Sequence, residues 1–171
     1  MPGDRRPAKQ TDQSTGEGKL IARPSFDDVA PARRRNMAAI RGKNTKPELC
    51  VRSLLHRAGY RFRLHRTDLP GRPDIVLPGR RTAIFVHGCF WHRHGCSRSV
   101  LPRTRAEWWE AKLNRNVERD MQNQHDLDAL GWRTVVVWEC ELRDEATLLT
   151  RLDAELRLSC SPAVSDVLGS G

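Results

Sequence analysis

Hydrophobic and polar positions follow two different periods along the chain, and these periods predict where helices and strands lie. Some segments repeat apolar residues every three or four positions, as helices do, whereas others alternate or run through β-branched residues, as strands do. The predicted elements are a helix over 46–58, strands over 60–65, 74–77 and 82–86, a helix over 104–130, a strand over 133–138 and a helix over 145–158. The order αβββαβα predicts an α/β fold with a mixed central sheet flanked by helices.

Residues at the helix starts and in the last strand add detail to this pattern. Thr45 with Glu48, and Thr104 with Glu107, are spaced as capping boxes, so they are expected to begin the first and second helices. The strand over 133–138 is apolar along almost its whole length, which predicts a central position in the sheet.

The chain is basic, and its excess charge is concentrated in one segment. Lys and Arg number 30 against 21 Asp and Glu in 171 residues, a formal net charge of +9. Residues 31–66 hold eleven of the basic residues and one acid, Glu48. This distribution indicates a polyanionic partner such as nucleic acid, and the alternative is a solvated basic face without a ligand.

Composition also separates the ends of the chain from its centre. Residues 1–30 have too few apolar side chains to offset the entropy of ordering, and are expected to form a disordered tail. After this tail we expect a basic arm over 31–45, a folded domain over 46–160 and a flexible C-terminal tail over 161–171. No run of 18 apolar residues exists, and the N-terminus lacks the apolar centre of a signal peptide, so we expect a cytoplasmic protein without a membrane span.

The cysteines indicate a metal site and not a disulfide framework, because their number is odd and cytoplasmic thiols are kept reduced. Cys89, His94 and Cys96 lie within eight residues, and Cys140 directly follows a predicted strand. Three thiolates and an imidazole suit a closed, tetrahedral, structural zinc site. His92 is an alternative to His94 as the imidazole ligand. The other interpretation is a group of free thiols beside incidental histidines.

A second candidate site combines a carboxylate with two histidines. Asp74 begins a predicted strand next to the strand over 82–86, and nucleases hold Mg²⁺ with a carboxylate in this kind of setting. His87 and His92 bracket the loop after that strand, and a neutral imidazole can take a proton from an attacking water. The alternatives are that Asp74 is an ordinary turn residue and that the histidines are ordinary surface or core groups.

Several aromatic side chains lie where burial is difficult. Phe90 and Trp91 occupy the middle of a polar loop, where rings beside a basic surface suggest wedges that enter a stack of bases. Trp109, Lys112 and Asn116 are spaced to share one face of the long helix, and together could contact a groove of DNA. Hydrophobic capping of the loop and a plain amphipathic helix edge are the alternative explanations.

Six segments of the chain, in unbroken order across about residues 33–143, form one recognisable pattern. The segments are Asn36-Met37 with Ala39-Ile40, Leu69-Pro70-Gly71-Arg72-Pro73-Asp74, Phe85-Val86-His87-Gly88-Cys89-Phe90-Trp91-His92, Asn116-Val117-Glu118-Arg119-Asp120, Gly131-Trp132-Arg133 and Val137-Trp138-Glu139-Cys140. Together they resemble the Vsr endonucleases, the very short patch repair family. The resemblance implies a fold similar to the PD-(D/E)XK restriction nucleases. It also implies a Mg²⁺-dependent enzyme that nicks double-stranded DNA 5′ to the thymine of a T:G mismatch, the product of 5-methylcytosine deamination.

The resemblance further implies roles for individual residues of the catalytic and zinc sites. Asp74 and the backbone carbonyl of Val86 would hold Mg²⁺, and His92 would be the general base. His87 and Glu48 would support catalysis. The family pattern selects His94 over His92 as the imidazole ligand of zinc, so that the zinc ligands would be Cys89, His94, Cys96 and Cys140.

On the DNA side, the resemblance makes Phe90, Trp91 and Trp109 intercalating side chains and lets Met37 enter from the minor groove. Lys112 and Asn116 would read the mismatch. The family pattern also implies a bacterial protein that acts as a monomer, with downstream mismatch-repair proteins as further partners.

The chain departs from the patterns of related enzymes in two respects. Phe85 and His87 stand where the wider nuclease class has an acidic residue and a lysine, so histidine chemistry must substitute for a second carboxylate. Val86 stands where the Vsr family commonly has threonine, a change that is tolerated if the backbone carbonyl is the metal ligand. Two rival functions stay open: an endonuclease of the same fold that cuts an intact site, and a zinc-stabilised DNA-binding protein that has lost catalysis.

Overall fold

A four-stranded mixed sheet with helices on both faces is the architecture of the residues that the structure describes. The computed structural model describes residues 43–158 and, before them, only residues 25, 31, 32 and 35. Its elements are α1 (Lys46–Arg57), β1 (Arg63–Leu64), β2 (Ile75–Leu77), β3 (Thr82–His87), α2 (Ala106–Ala129), β4 (Arg133–Trp138) and α3 (Glu145–Leu158), with 3₁₀ turns at Pro78–Arg80 and Glu139–Arg143. The α/β class is confirmed. The expected tails, Met37 and most of the basic arm lie outside the described residues.

The strand order is β1-β2-β3-β4, and the sheet changes from antiparallel to parallel pairing at β3. β2 pairs antiparallel with both β1 and β3, whereas β3 and β4 run parallel, with His87 opposite Trp138. Because parallel neighbours end at the same edge of a sheet, the segments that follow β3 and β4 emerge side by side.

Alternate residues of the strands face two separate cores, as the two-residue period of a strand requires. One face packs against apolar side chains of α1 and α3, and its buried strand residues are Ile75, Leu77, Ile84, Val135 and Val137. The opposite face carries Val76, Ala83 and Phe85, which pack with Leu127 of α2. Within residues 43–158, no helix is both long enough and apolar enough to cross a membrane.

β4 lies at an edge of the described sheet and pairs with β3, so the predicted central position is wrong. Its apolar composition has a different cause, because both of its faces are covered. Val135 and Val137 are buried in the core shared with α1 and α3, and α2 contacts the strand as well. An edge strand that is covered on both faces has the same apolar pattern as a central strand.

The ends of the elements agree with the sequence pattern only in part. Thr45 and Glu48 form the predicted capping box, with side-chain to backbone contacts in both directions. The first predicted strand is reduced to the two residues of β1. The predicted cap of α2 at Thr104 is wrong: the residue before the helix is Arg105, at φ +57° and without a side-chain cap, so that the chain enters the helix from a left-handed turn.

Candidate active site

An open cleft of about 700 Å³ lies at the edge of the sheet where β3 ends. Asp74 immediately precedes β2, and the antiparallel register of β2 with β3 places it beside the end of β3. The start of α1 contributes Glu48 to the cleft, and the middle of α2 contributes Asp120. Cationic side chains also line it: Lys43, Arg72 and Arg119. Carboxylates and cationic side chains therefore line the same cleft.

Asp74 is held by the backbone of the neighbouring strand. Its Oδ2 accepts a hydrogen bond of 2.8 Å from the Val86 N–H. Burial, with a smaller contribution from the negative charge of Glu48, raises the pKa of Asp74 to about 6, although the Val86 hydrogen bond acts in the opposite direction. A carboxylate that is destabilised by burial and by a second acid favours a cation beside it.

Glu48 is almost fully buried, with 3% of its surface exposed, and both of its carboxylate oxygens accept hydrogen bonds. Its Oε2 accepts from Arg52 Nη2 at 2.7 Å and from the Asn44 N–H at 2.9 Å. Its Oε1 accepts from the Thr45 hydroxyl at 2.9 Å and, more weakly, from the Thr45 N–H. His65 lies next to this group, with its Nε2 3.0 Å from Arg52 Nη2. Ligand atoms of Glu48, His65 and Asp74 all lie within 4.8 Å of one another.

Two histidine rings stack face to face in the same cleft. The ring centroids of His87 and His92 are 3.8 Å apart, and the ring planes differ by 8°. His92 Nδ1 makes a hydrogen bond to Asp120 Oδ2. Burial, followed by the charge of the neighbouring His92, lowers the pKa of His87 to about 4, so His87 is neutral near pH 7.

The second cluster is formed by Cys89, His94, Cys96 and Cys140, whose ligand atoms all lie within 4.8 Å of one another. Cys140 Sγ and His94 Nδ1 are 3.3 Å apart. A tetrahedral zinc ion with these donors needs ligand separations of about 3.4–3.8 Å, so small adjustments would accommodate it. The Arg98 N–H, followed by the contact with His94, lowers the pKa of Cys96 to about 6, whereas burial raises the pKa of Cys89 to about 12.

Trp138, the last residue of β4, joins the two clusters. Its ring stacks on His94 with centroids 4.2 Å apart and meets the edge of His87 at 5.4 Å. The position of Trp138 follows from the parallel pairing of β3 with β4, which sets it opposite His87. A single aromatic ring therefore contacts one histidine of each cluster.

Aromatic rings of the loop after β3 pack on the first turns of α2. The Phe90 ring lies 5.1 Å from that of Trp91 and 5.4 Å from that of Trp109. Trp109 is buried, with 8% exposed, whereas the two loop rings are half-buried. Lys112 Nζ lies 5.4 Å from the Trp91 ring and 5.3 Å from the Trp109 ring, and Asn116 Nδ2 donates to the Trp91 carbonyl at 3.1 Å.

The chain matches the family model of the DNA mismatch endonuclease Vsr over residues 26–98. It is 56% identical over 127 residues to the type II nicking enzyme V.XorIIP of Xanthomonas oryzae pv. oryzae (strain KACC10331 / KXO85), an alignment that covers 74% of this chain and 93% of that protein. The DNA mismatch endonuclease Vsr of Escherichia coli (strain K12) is 47% identical over 116 residues, or 68% of this chain and 74% of the relative. The chain belongs to the Vsr family of DNA mismatch endonucleases. A further Vsr relative, the type II nicking enzyme V.NmeAIP of Neisseria meningitidis serogroup A, is 40% identical over 121 residues, 71% of this chain and 86% of that protein.

The structure brings most of the residues singled out by the Vsr resemblance into two neighbouring groups. Glu48, Asp74, Val86, His87 and His92 line the cleft. The four expected zinc ligands form the adjacent cluster, in which His94 and not His92 is the imidazole. The expected DNA-binding side chains of the loop and of α2 contact one another beside both groups. Met37 lies outside the described residues.

Three residues in or next to the cleft have no role predicted from the sequence. Asp120 lies four positions after Asn116 and Arg52 four positions after Glu48, so helical spacing would have placed both on the relevant helix faces. His65 carries no such signal. It lies between β1 and β2 at φ +47°, and only the fold brings it to Arg52.

Proposed function

We propose that this Vsr-family chain hydrolyses one phosphodiester bond of double-stranded DNA 5′ to the thymine of a T:G mismatch that arises from deamination of 5-methylcytosine. The observation that carries the proposal is the pair of His92 and Asp120, stacked on His87 and located in the same cleft as Asp74. The enzyme acts as a monomer with a restriction-endonuclease-like fold, in which residues 46–160 form the nuclease domain. Mg²⁺ is the catalytic ion and Zn²⁺ the structural one.

His92 is suited to act as the general base because its partner fixes the tautomer. An ionised carboxylate only accepts hydrogen bonds, so the bond to Asp120 places the ring proton on Nδ1. Nε2 is then left with a free lone pair that can take a proton from water. Asp120 also stabilises the imidazolium that forms, which is the general logic of an oriented histidine base.

His87 serves as a neutral partner in the same step. Its pKa of about 4 keeps it uncharged, so it does not repel the positive charge that develops on the stacked ring of His92. A neutral imidazole can still donate a hydrogen bond to a phosphate oxygen.

Asp74, together with the carbonyl of Val86, would hold Mg²⁺. Its Oδ2 is engaged by the Val86 N–H, and no described residue donates to Oδ1, which leaves that oxygen for a cation. When bound, the ion supplies positive charge against the scissile phosphate and lowers the pKa of a bound water. Because Val86 acts through its backbone, the loss of the threonine hydroxyl common in the family is tolerated.

Recognition of the mismatch is assigned to the aromatic cluster. Phe90, Trp91 and Trp109 would enter the base stack, at a cost of a few kcal/mol per step that is smaller at a mismatch than at a normal pair. Lys112 and Asn116, which here contact the Trp91 segment, would read the exposed bases. The basic arm over 31–45 would follow the phosphates, and Met37 would enter from the minor groove.

The test is Mg²⁺-dependent nicking of an end-labelled duplex that carries one T:G pair in several flanking contexts, beside matched C:G duplexes. We expect cleavage 5′ to the mismatched thymine by the wild-type protein and none by Asp74→Ala. Equal cleavage of the C:G duplexes would favour the endonuclease that cuts an intact site. Binding without cleavage of any duplex would favour the inactive DNA-binding protein.

A further inference from the structure

A second groove lies at the end of the sheet opposite the active-site cleft. It has a volume of about 650 Å³ and lies between the chain that follows α1 and the 3₁₀ turn that joins β2 to β3. Because β2 and β3 are antiparallel, this turn is at the far end of both strands from Asp74 and His87. Within residues 43–158, this distal groove shares no lining residue with the active-site cleft.

Three arginines give the distal groove its charge. Arg61, Arg63 and Arg80 line it, and none of its described lining residues is acidic. Arg80 is held in the wall, because its Nη1 donates to the Leu156 carbonyl at 2.8 Å and its guanidinium lies 5.3 Å from the Tyr60 ring. Arg61 and Arg63 are exposed, and no group of the described chain forms an ion pair or a side-chain hydrogen bond with either of them. Two positive charges at the groove are therefore left without a partner in this part of the chain.

The carboxylate of Asp153, which contacts the wall of the groove, is already engaged. It accepts hydrogen bonds from the Tyr60 hydroxyl at 2.5 Å and from Arg157 Nε at 2.6 Å. It therefore does not compensate Arg61 or Arg63. A ligand with carboxylate groups would supply what this surface lacks, because guanidinium groups bind carboxylates through paired, charge-assisted hydrogen bonds.

The free edge of β1 lies beside the distal groove. β1 pairs with β2 on one side, and no described strand pairs with it on the other. Tyr60 and Phe62 pack on the core shared with α1 and α3, whereas Arg61 and Arg63 are exposed, so the side chains alternate between two faces. An extended peptide can join such an edge as an additional strand, with its side chains opposite those of β1. This alternation fits acidic residues opposite Arg61 and Arg63, and apolar residues opposite Phe62 and the exposed Leu64.

We propose that the free edge of β1 and the distal groove form a docking surface for an extended segment of a partner protein in which acidic and apolar residues alternate. The segment pairs with β1 as a further strand, and its carboxylates bind Arg61 and Arg63. DNA suits this surface less well, because phosphates would satisfy the arginines but not the peptide groups of a strand edge or the apolar side chains beside it. The inference does not rest on the proposed function, and the partner would bind while the active-site cleft stays open to DNA.

The first experiment measures, by fluorescence anisotropy, how tightly the full chain binds a fluorescein-labelled ten-residue peptide in which Asp alternates with Val. The same peptide with Lys in place of Asp is the control ligand. Arg61→Glu and Arg63→Glu should each weaken binding of the Asp peptide by at least about fivefold, because an attraction becomes a repulsion. Arg143→Glu, the matched control, makes the same charge change at an exposed arginine outside the groove and should leave the affinity within about twofold of the wild type. DNA nicking by all three variants should equal that of the wild type.

Two further peptides test whether the ligand binds as a strand. Successive residues of a strand direct their peptide N–H groups to opposite edges, so N-methylation of every Asp and N-methylation of every Val remove donors from different edges. We expect one methylated peptide to lose at least about tenfold in affinity and the other to keep it.

Three results with these peptides would overturn the proposal: equal binding of the two methylated peptides, equal binding of the Lys and Asp peptides, or no binding of the Asp peptide to the wild type at about 1 mM. Displacement of the peptide by a DNA duplex, together with weaker DNA binding by Arg61→Glu and Arg63→Glu, would assign the surface to DNA and overturn it as well. Because peptide binding is the readout, the result does not depend on which DNA bond the enzyme cuts.

Discussion

Replacing Asp120 by asparagine tests the proposed general base without removing any volume from the cleft. In the wild type the carboxylate holds the ring proton of His92 on Nδ1. An amide can turn its NH₂ group toward the ring, which makes Nδ1 the acceptor and moves the proton to Nε2. The nitrogen that faces the reaction would then have no lone pair for the proton of the attacking water.

The size of the effect follows from the burial of the pair. The side chains of His92 and Asp120 are 20% and 14% exposed, so solvent screens their hydrogen bond only weakly. General base catalysis contributes about 10²–10⁴ in rate, or about 3–5 kcal/mol of activation free energy. We therefore expect Asp120→Asn to lower the rate of the chemical step by at least about 10², with little change in DNA affinity.

The assay is single-turnover nicking of a T:G duplex by excess enzyme, with affinity measured separately by fluorescence anisotropy in the absence of Mg²⁺. Glu118→Gln is the matched control, because it makes the same chemical change at an exposed position two residues away on α2. Nitrogen chemical shifts of the His92 ring report the tautomer directly. A rate within about threefold of the wild type, with the proton shifted to Nε2, would refute the assignment of His92 as the base.

Three further predictions concern the metal cluster, the cleft and the fold. Cys140→Ala should lose the bound zinc and lower Tm by more than the roughly 2–8 °C that corresponds to 1 kcal/mol in domains of this size range, as measured by metal analysis and thermal unfolding. Gly71→Ala should lower the nicking rate and Tm, because its φ is +69° and an added Cβ would lie 2.9 Å from Asn123, whereas the control Gly79→Ala meets no atom within 4 Å. Hydrogen bonds from the start of α3 lower the pKa of Asp144 in the folded protein. The ionised carboxylate of Asp144 therefore stabilises the fold at pH values above the ordinary carboxyl pKa of about 3.9. This stabilisation is lost as the pH falls through the lowered pKa that Asp144 has in the folded state. Urea unfolding of Asp144→Ala against the wild type should then show a difference at neutral pH that shrinks in acid.

The hydrophobic pattern of the sequence predicted those parts of the fold that depend on residues close together in the chain. The capping box at Thr45 and the helical stripe of α3 depend on residues close in sequence, and both segments form the predicted helices. The position of β4 depends on what covers each face of the strand. The apolar composition of a strand indicates that its side chains are buried, but it does not indicate how many neighbouring strands are hydrogen-bonded to it. An edge strand that α2 covers therefore has the same sequence pattern as a central strand.

The candidate site shows the same division between local and long-range information. His87, His92 and the first three expected zinc ligands lie close together in sequence, so their types and spacing were enough to indicate chemistry. Asp120 and Arg52 follow helical spacing, but that spacing selects them only once the fold shows that Asp120 lines the cleft and that Arg52 contacts Glu48, which lines it. His65 joins the cleft through a left-handed turn between strands, which no periodic pattern marks.

The parallel pairing of β3 with β4 explains how the Cys89, His94, Cys96 and Cys140 cluster and the proposed hydrolytic site can share one short loop. Residues 88–96 start from the end of β3 and return to Cys140 just after its parallel neighbour, so both ends of the loop are tied to the same sheet edge. His92 lies between those two attachments, and Trp138 contacts His87 on one side and His94 on the other. A zinc ion bound there would fix the loop without touching the cleft. His92, the proposed general base, would then be held in position before DNA binds. General base catalysis requires such a fixed position of the base relative to the attacking water.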